Sequence, residues 1–339
     1  MPRTILLRDW LNRHFSRLYP DQEFALEPAS ADASFRRYFR IMLPDGSTRI
    51  IMDAPPDHED CRPFLKVAAL FRKAGVRVPE VYAEDLAQGF LLLSDLGTQT
   101  YLNVLNGDTA PLLYRQANAA LVDVQLASQP GLLPDYDRAL LTRELDLFPD
   151  WYVARHLGLT LDETQQATLR SVFEKVLANN LAQPKVFVHR DYHSRNLMIS
   201  GDDYPANPGI IDFQDAVYGP ITYDLVSLYR DAYICWEERE ELDFVIRYWE
   251  MARKAGLPMH SDFHDFYRDY EWMGAQRQIK VLGIFARLCY RDGKDGYLKD
   301  MPRVMAYLRR TCERYLELKP FARLLDQLEN RQAAVGLTF

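Results

Sequence analysis

The chain has 339 residues and a formal net charge of -7. That length suits two lobes with separate cores, since a single core stops growing at about 250 to 300 residues. The acidic balance argues against a partner gripped mainly through a phosphate backbone, so no nucleic acid is expected.

The elements follow in chain order. Leu7, Trp10, Leu11, Phe15 and Leu18 recur at helical spacing and predict an amphipathic helix over 4–18. The charges that interrupt "MPRTILLRDWLNRHF" are unlike the apolar stretch of a secretory leader, so none is expected, and no later run approaches the ~20 apolar residues of a membrane span. "FRRYFRIML" and "TRIIMDA" flank Pro44-Asp45-Gly46-Ser47, whose turn chemistry predicts a hairpin. "CRPFLKVAALFRKAG" reads as a helix stopped by Gly75, and "VPEVYAED" with "GFLLLSDL" as a second hairpin around Gln88-Gly89. A small sheet-containing lobe therefore spans 1–97.

Residues 98–339 form a second lobe that is mainly helical, with periodic stretches at 109–128, 137–157, 161–182, 237–255, 262–290 and 302–317. One small sheet is expected inside it, from "KVFVH", "NLMIS" and "GIIDF", the last two paired across the polar turn "GDDYPANP". Cys61, Cys235, Cys289 and Cys312 show no metal-type spacing. Reduced, buried thiols in a cytoplasmic protein are the expectation.

The segment "HRDYHSRN" (His189 to Asn196) and the following "IDFQD" (Ile211 to Asp215) carry the chemistry. Phosphoryl transfer needs an oriented hydroxyl nucleophile and a metal across the phosphates, which calls for one carboxylate facing the nucleophile and oxygen ligands facing the metal. Asp191 and Asn196 stand at the spacing of the kinase catalytic loop, and Asp212 stands where kinases carry a metal-binding aspartate. A hard cation such as Mg2+ prefers such ligands. Any one of these residues alone is more often a turn or cap residue; the ordered set is not.

The two segments resemble the aminoglycoside phosphotransferase and choline kinase-like family, whose forms are H-G-D-x-H-x-x-N and I-D-F/W-x-D. The resemblance covers most of the chain and implies an α+β, bilobal, protein-kinase-like fold with ATP at the hinge, where Ser94 and Leu96 contact the nucleotide. It implies Asp191 as catalytic base, Asn196 and Asp212 as Mg2+ ligands, and His193 as support of the loop. Asp215 is expected at metal or substrate, or in a structural role, and Asp224 braces the catalytic loop. "SADASFRRYFR", "MDAPPDHEDCRPF" and "QRQIKVLGIFARL" are similar to the branch of this family that phosphorylates N-acetylmuramate and N-acetylglucosamine at O1 in bacterial cell-wall recycling.

The chain departs from the family pattern in two places. "TRIIMDAPP" offers no lysine for the α and β phosphates, which leaves Arg36, Arg37 and Arg49 as candidate replacements. The phosphate-covering loop "EPASADASF" has no glycines and offers Ser30 and Ser34 instead. For the substrate, Gln276, Arg277 and Lys280 on one long helix supply donors and a cation for a carboxylate, and Glu144 supplies an acceptor for a sugar hydroxyl; a solvated helix face is the plainer alternative.

The expected activity is an ATP-dependent anomeric amino-sugar kinase, with ATP and a small-molecule amino sugar as its partners. A phosphotransferase on another alcohol (aminoglycoside, choline or homoserine) and a catalytically idle nucleotide-binding fold are the rivals.

Overall fold

The computed structural model describes residues 3–20, 22–30, 35–199 and 208–329. Helix α1 (Arg3–Phe15) gathers Leu7, Trp10, Leu11 and Phe15 on one face through their three- and four-residue steps. That face packs on Phe24, Ile41, Ile51, Phe90 and Leu92, forming a buried core. The last four belong to an antiparallel sheet of β1 (Glu27–Ser30), β2 (Arg37–Met42), β3 (Thr48–Asp53), β4 (Val81–Asp85) and β5 (Phe90–Ser94), in the order β1-β2-β3-β5-β4.

Both expected hairpins form. In the first, Asp45 Oδ1 accepts from the Ser47 amide (2.8 Å) and hydroxyl (2.6 Å), closing the turn between β2 and β3. In the second, Gly89 has φ +72, and a Cβ there would lie 1.8 Å from the Ala54 carbonyl oxygen, so only glycine fits. Strand β1 was not foreseen. "EPAS" has no apolar alternation, and its pairing with β2 is interrupted by an irregularity between Pro28 and Ser30. Helix α2 (Cys61–Lys73) is capped by the Asp60 side chain, which accepts from the Arg62 amide at 2.9 Å.

Helices α3 (Tyr101–Val104), α4 (Ala110–Leu126), α5 (Arg138–Leu145), α6 (Glu163–Ala182), α7 (Tyr223–Tyr229), α8 (Glu238–Lys254), α9 (Phe263–Asp292), α10 (Met301–Arg314) and α11 (Lys319–Leu328) follow. The stretch expected as one helix over 137–157 splits into α5 and a π-helical segment, Phe148–His156, with Pro149 in its first turn. Four short strands lie among these helices: β6 (Lys185–Val188), β7 (Leu197–Met198), β8 (Gly209–Ile210) and β9 (Val217–Pro220). Strands β7 and β8 pair as expected, but "KVFVH" does not join them. Instead β6 pairs antiparallel with β9, from Lys185↔Pro220 to Val188↔Val217.

The chain divides into two compact units. One comprises Met1–Thr100 with Leu197–Asp215, and the other Tyr101–Asn196 with Ala216–Phe339. Within the first, Phe64 and Phe71 of α2 pack on Phe213, with ring centroids 4.8 Å and 5.8 Å apart. Among the described residues no helix is long and apolar enough to cross a membrane. Cys61 and Cys312 are buried as expected, whereas Cys235 is exposed and Cys289 partly so; all four are free thiols.

Candidate active site

In the second unit, strand β6 delivers the chain into the loop from His189 to Asn196, and two buried aspartates hold that loop by its backbone. Asp224, in the first turn of α7, accepts from the amides of His189 (2.6 Å) and Arg190 (2.9 Å). Asp231, just past α7, accepts from the Ser194 amide at 2.9 Å. Within the loop, the Asp191 carbonyl accepts from the His193 amide (3.0 Å) and from Asn196 Nδ2 (2.9 Å). The contact through Nδ2 fixes which way the Asn196 amide faces.

Arg190 has φ +78, a left-handed conformation that costs an L-residue about 1–2 kcal/mol. The family form quoted above carries glycine at this position. Here the arginine side chain supplies compensating contacts: Nη2 meets Glu144 Oε1 at 2.5 Å, and the guanidinium lies 5.6 Å from the centre of the Tyr136 ring.

Glu144 is the hub of the surrounding polar cluster. Besides Arg190, it accepts from the Tyr136 hydroxyl, from Gln276 Nε2 (3.1 Å) and from Lys280 Nζ (2.8 Å). A carboxylate has about four acceptor sites, and protein donors occupy that number here. Lys280 Nζ also lies 2.8 Å from the Tyr223 hydroxyl. Burial pushes the Glu144 carboxyl up, but Lys280 and Arg190 outweigh burial and hold it below its ordinary range. Lys280 is shifted the other way: burial lowers it, and Glu144 and Tyr223 raise it further than burial lowers it.

Asp191 on this loop and Asp224, which braces it, diverge sharply. Burial opposes ionisation of Asp191, yet Lys280, His193, Arg277 and Arg190 bring its pKa to about 2. Burial dominates at Asp224 and lifts it to about 7, helped by the charge of Asp191 and opposed by the two amides it binds. Asp191 is therefore the carboxylate that stays ionised at neutral pH.

The remaining candidates lie in the first unit. Asp212 has φ +62, a conformation that Asp tolerates better than most residues, and its Oδ1 accepts from Gln214 Nε2 at 2.8 Å. Asp215 is exposed, and its charge acts on Arg36. Arg36 Nη2 lies 2.9 Å from Glu59, just ahead of α2. Arg37 faces Asp53 directly across the β2–β3 ladder and, with Arg3, neutralises that fully buried carboxylate. Arg49 bonds the Thr48 carbonyl at 2.7 Å and covers the Tyr82 ring at 4.8 Å. Ser94 accepts from the Glu80 amide through its hydroxyl (2.8 Å), and Leu96 is buried. Ser34 and the side chain of Ser30 lie outside the described residues.

Sequence reasoning missed Asp231 and the role of Glu144 as a shared partner of Arg190 and Lys280. A signal for the first was present in "DLVSLYRD", where Asp224 and Asp231 stand two helical turns apart. None existed for the second, because Arg190 and Lys280 come from two segments far from Glu144 in the chain.

Residues 25–263 match the model of the phosphotransferase enzyme family, and the chain belongs to that family. It is 49% identical over 344 residues to the N-acetylmuramate/N-acetylglucosamine kinase of Neisseria meningitidis, covering 100% of both chains. It is 52% identical over 303 residues to the protein of the same description from Pseudomonas aeruginosa, covering 89% of this chain and 88% of that one. Among solved structures, a choline/ethanolamine kinase family protein from Mesorhizobium loti superposes with a TM-score of 0.63 at 15% identity, over 96% of this chain and 99% of that one. That likeness establishes the protein-kinase-like fold.

Proposed function

We propose that the protein transfers the γ-phosphate of ATP to the anomeric hydroxyl of N-acetylmuramate and N-acetylglucosamine, in the cytoplasm and in the recycling of cell-wall sugars. The observation that carries a phosphotransferase reading is Asp191, a carboxylate kept ionised at about 2 on a loop clamped by Asp224 and Asp231. The choice of sugar rests on the full-length likeness to kinases of that description.

Asp191 accepts a hydrogen bond from O1–H and aligns the oxygen with the γ-phosphorus. As the O1–P bond forms and the bond to the ADP oxygen breaks, the proton passes to the Asp191 carboxylate and from there to solvent. A carboxylate with a pKa near 2 is a weak base. A hemiacetal hydroxyl, more acidic than an ordinary alcohol, demands less of it, and a loose phosphoryl transition state demands little proton transfer early.

Asn196 and Asp212 are the Mg2+ ligands in this reading. One amide and one carboxylate make a donor set suited to a cation that takes one or two protein ligands and completes its shell with phosphates and water. Held by Asn196 and Asp212, such a cation would supply charge stabilisation to the transferring phosphoryl group. Glu144 positions rather than binds substrate: it holds Arg190 and Lys280, and with them the electrostatic setting of Asp191. Ser94 and Leu96 contact the nucleotide in this reading, and Asp215 acts through Arg36.

Arg36 replaces the missing strand lysine. Its pairing with Glu59 supplies the cation and carboxylate that kinases place beside the α and β phosphates, whereas Arg37 is committed to Asp53 and Arg49 to Tyr82. Arg36→Ala is expected to raise the KM for ATP about 10- to 100-fold, the worth of a charge-assisted hydrogen bond. Arg49→Ala should change it by less than about threefold, and Arg37→Ala should chiefly lower the melting temperature. Nucleotide titration with circular dichroism on the three variants checks the ranking.

The acceptor is tested with N-acetylglucosamine, N-acetylmuramate, their methyl glycosides and an aminoglycoside, each with ATP and Mg2+. The free sugars should yield a phosphate whose phosphorus couples to the anomeric proton in NMR, and the O1-blocked glycosides should not react. Reaction of the glycosides at the rate of the free sugars, or of the aminoglycoside alone, overturns the anomeric reading.

A further inference from the structure

Three cations act on Asp191 besides His193, and their partners differ. Arg190 pairs with Glu144, and Lys280 pairs with Glu144 and bonds Tyr223. Arg277 has no such anchor among the described residues. It is 4% exposed, and its Nε is buried with no acceptor among the described residues. Neither a hydrogen bond nor an ion pair joins its guanidinium to another described side chain.

Its surroundings make this costly. A buried guanidinium nitrogen with no acceptor among the described residues has lost hydration without compensation, and an anionic ligand is a group that restores it. Asp191 and Asp224 contribute charge nearby, as the influence of Arg277 on both carboxyls shows, but neither is bonded to it. Arg195, on the same loop, is accounted for differently, since it sits over the Tyr233 ring at 3.5 Å.

We propose that Arg277 is the specificity-determining residue for an acidic acceptor, and that it binds the carboxylate of the lactyl ether that N-acetylmuramate carries and N-acetylglucosamine lacks. This rests on the amino-sugar reading above. An acceptor carboxylate brought beside ionised Asp191 and the ATP phosphates meets like charge from both, and a cation with no ion-pair partner among the described residues is the element that offsets the repulsion. A guanidinium suits the task because its fork matches the two carboxylate oxygens. Gln276, one position earlier on α9, has a buried Oε1 with no donor among the described residues, which leaves an acceptor for a hydroxyl or amide N–H of the same ligand.

The test is a ratio. For the wild type, Arg277→Lys and Arg277→Met, kcat/KM is measured for N-acetylmuramate, N-acetylglucosamine and the N-acetylmuramate carboxamide, with melting curves for each protein. A loss common to all three sugars reports the effect of Arg277 on Asp191. The acid-to-neutral ratio isolates carboxylate recognition. That ratio should fall about 10- to 100-fold in Arg277→Met and be partly rescued in Arg277→Lys, and wild type should discriminate against the carboxamide by a similar factor. In Arg277→Met the acid and the carboxamide should become equivalent. A ratio that stays within about twofold of wild type overturns the proposal, as does a wild type that treats acid and carboxamide alike, a comparison that stands even where the variants do not fold. Failure of wild type to phosphorylate either free sugar sinks the amino-sugar reading itself and is recognised separately.

Discussion

Asp191→Asn is expected to lower kcat by about 10²- to 10⁴-fold while ATP affinity and the melting temperature change little. The substitution removes the ionised carboxylate and keeps the side-chain volume. The bonds through which Asp191 shapes its own loop run through its backbone, from the His193 amide and Asn196 Nδ2 to its carbonyl, and these persist. So does the clamp of Asp224 and Asp231 on the neighbouring amides. The measurement is steady-state turnover of the two amino sugars beside calorimetric ATP binding. Near-normal turnover would remove Asp191 from the base role, and a parallel collapse of ATP binding would mean that the residue holds structure and not the acceptor.

If Asp212 holds Mg2+ as proposed, Asp212→Ala is expected to be the more severe change, lowering turnover to at least about 10³-fold below wild type, because charge stabilisation of the whole transferring group would be lost. The clearer readout is linkage. In wild type the affinity for ATP should rise steeply with Mg2+, and in Asp212→Ala that dependence should flatten while metal-free binding is retained. Titrating ATP across a series of Mg2+ concentrations checks it; identical metal dependence in the two proteins would free Asp212 of this duty. Its left-handed backbone adds a control, since Asp212→Asn keeps a residue that tolerates φ +62 and separates lost charge from backbone strain.

The parts of this molecule legible in the sequence are those written in covalent spacing. Asp191, Asn196 and Asp212 stand at fixed steps beside short apolar runs, and the helix containing Leu7, Trp10, Leu11 and Phe15 announces its buried face by period alone. Strand β9 was invisible because "VYGP" reads as a turn. Gly219 weakens a strand on propensity, yet here a Cβ would lie 2.5 Å from Tyr136 Cβ, so close packing against a residue about 80 positions away dictates the glycine. The same limit hid the difference between Lys280 and Arg277. Both sit on α9, and which one is neutralised depends on Glu144, which no local pattern ties to either. Arg190 offered the opposite case: an arginine where the related form has glycine signals a strained backbone, but the side-chain contacts that support it appear only in three dimensions.

The chain passes from one compact unit to the other at three points, between Thr100 and Tyr101, between Asn196 and Leu197, and between Asp215 and Ala216. The sheet-bearing unit is consequently not a contiguous cassette. A gene fragment encoding residues up to 100 would express α2 without Phe213, the ring against which Phe64 and Phe71 pack. Recombination that exchanges such a fragment between relatives would break that aromatic cluster unless the distant hairpin were exchanged with it. The first unit is therefore inherited as two separate pieces of chain, and residues up to Thr100 and the segment from Leu197 to Asp215 have to change in concert to keep Phe213 against Phe64 and Phe71.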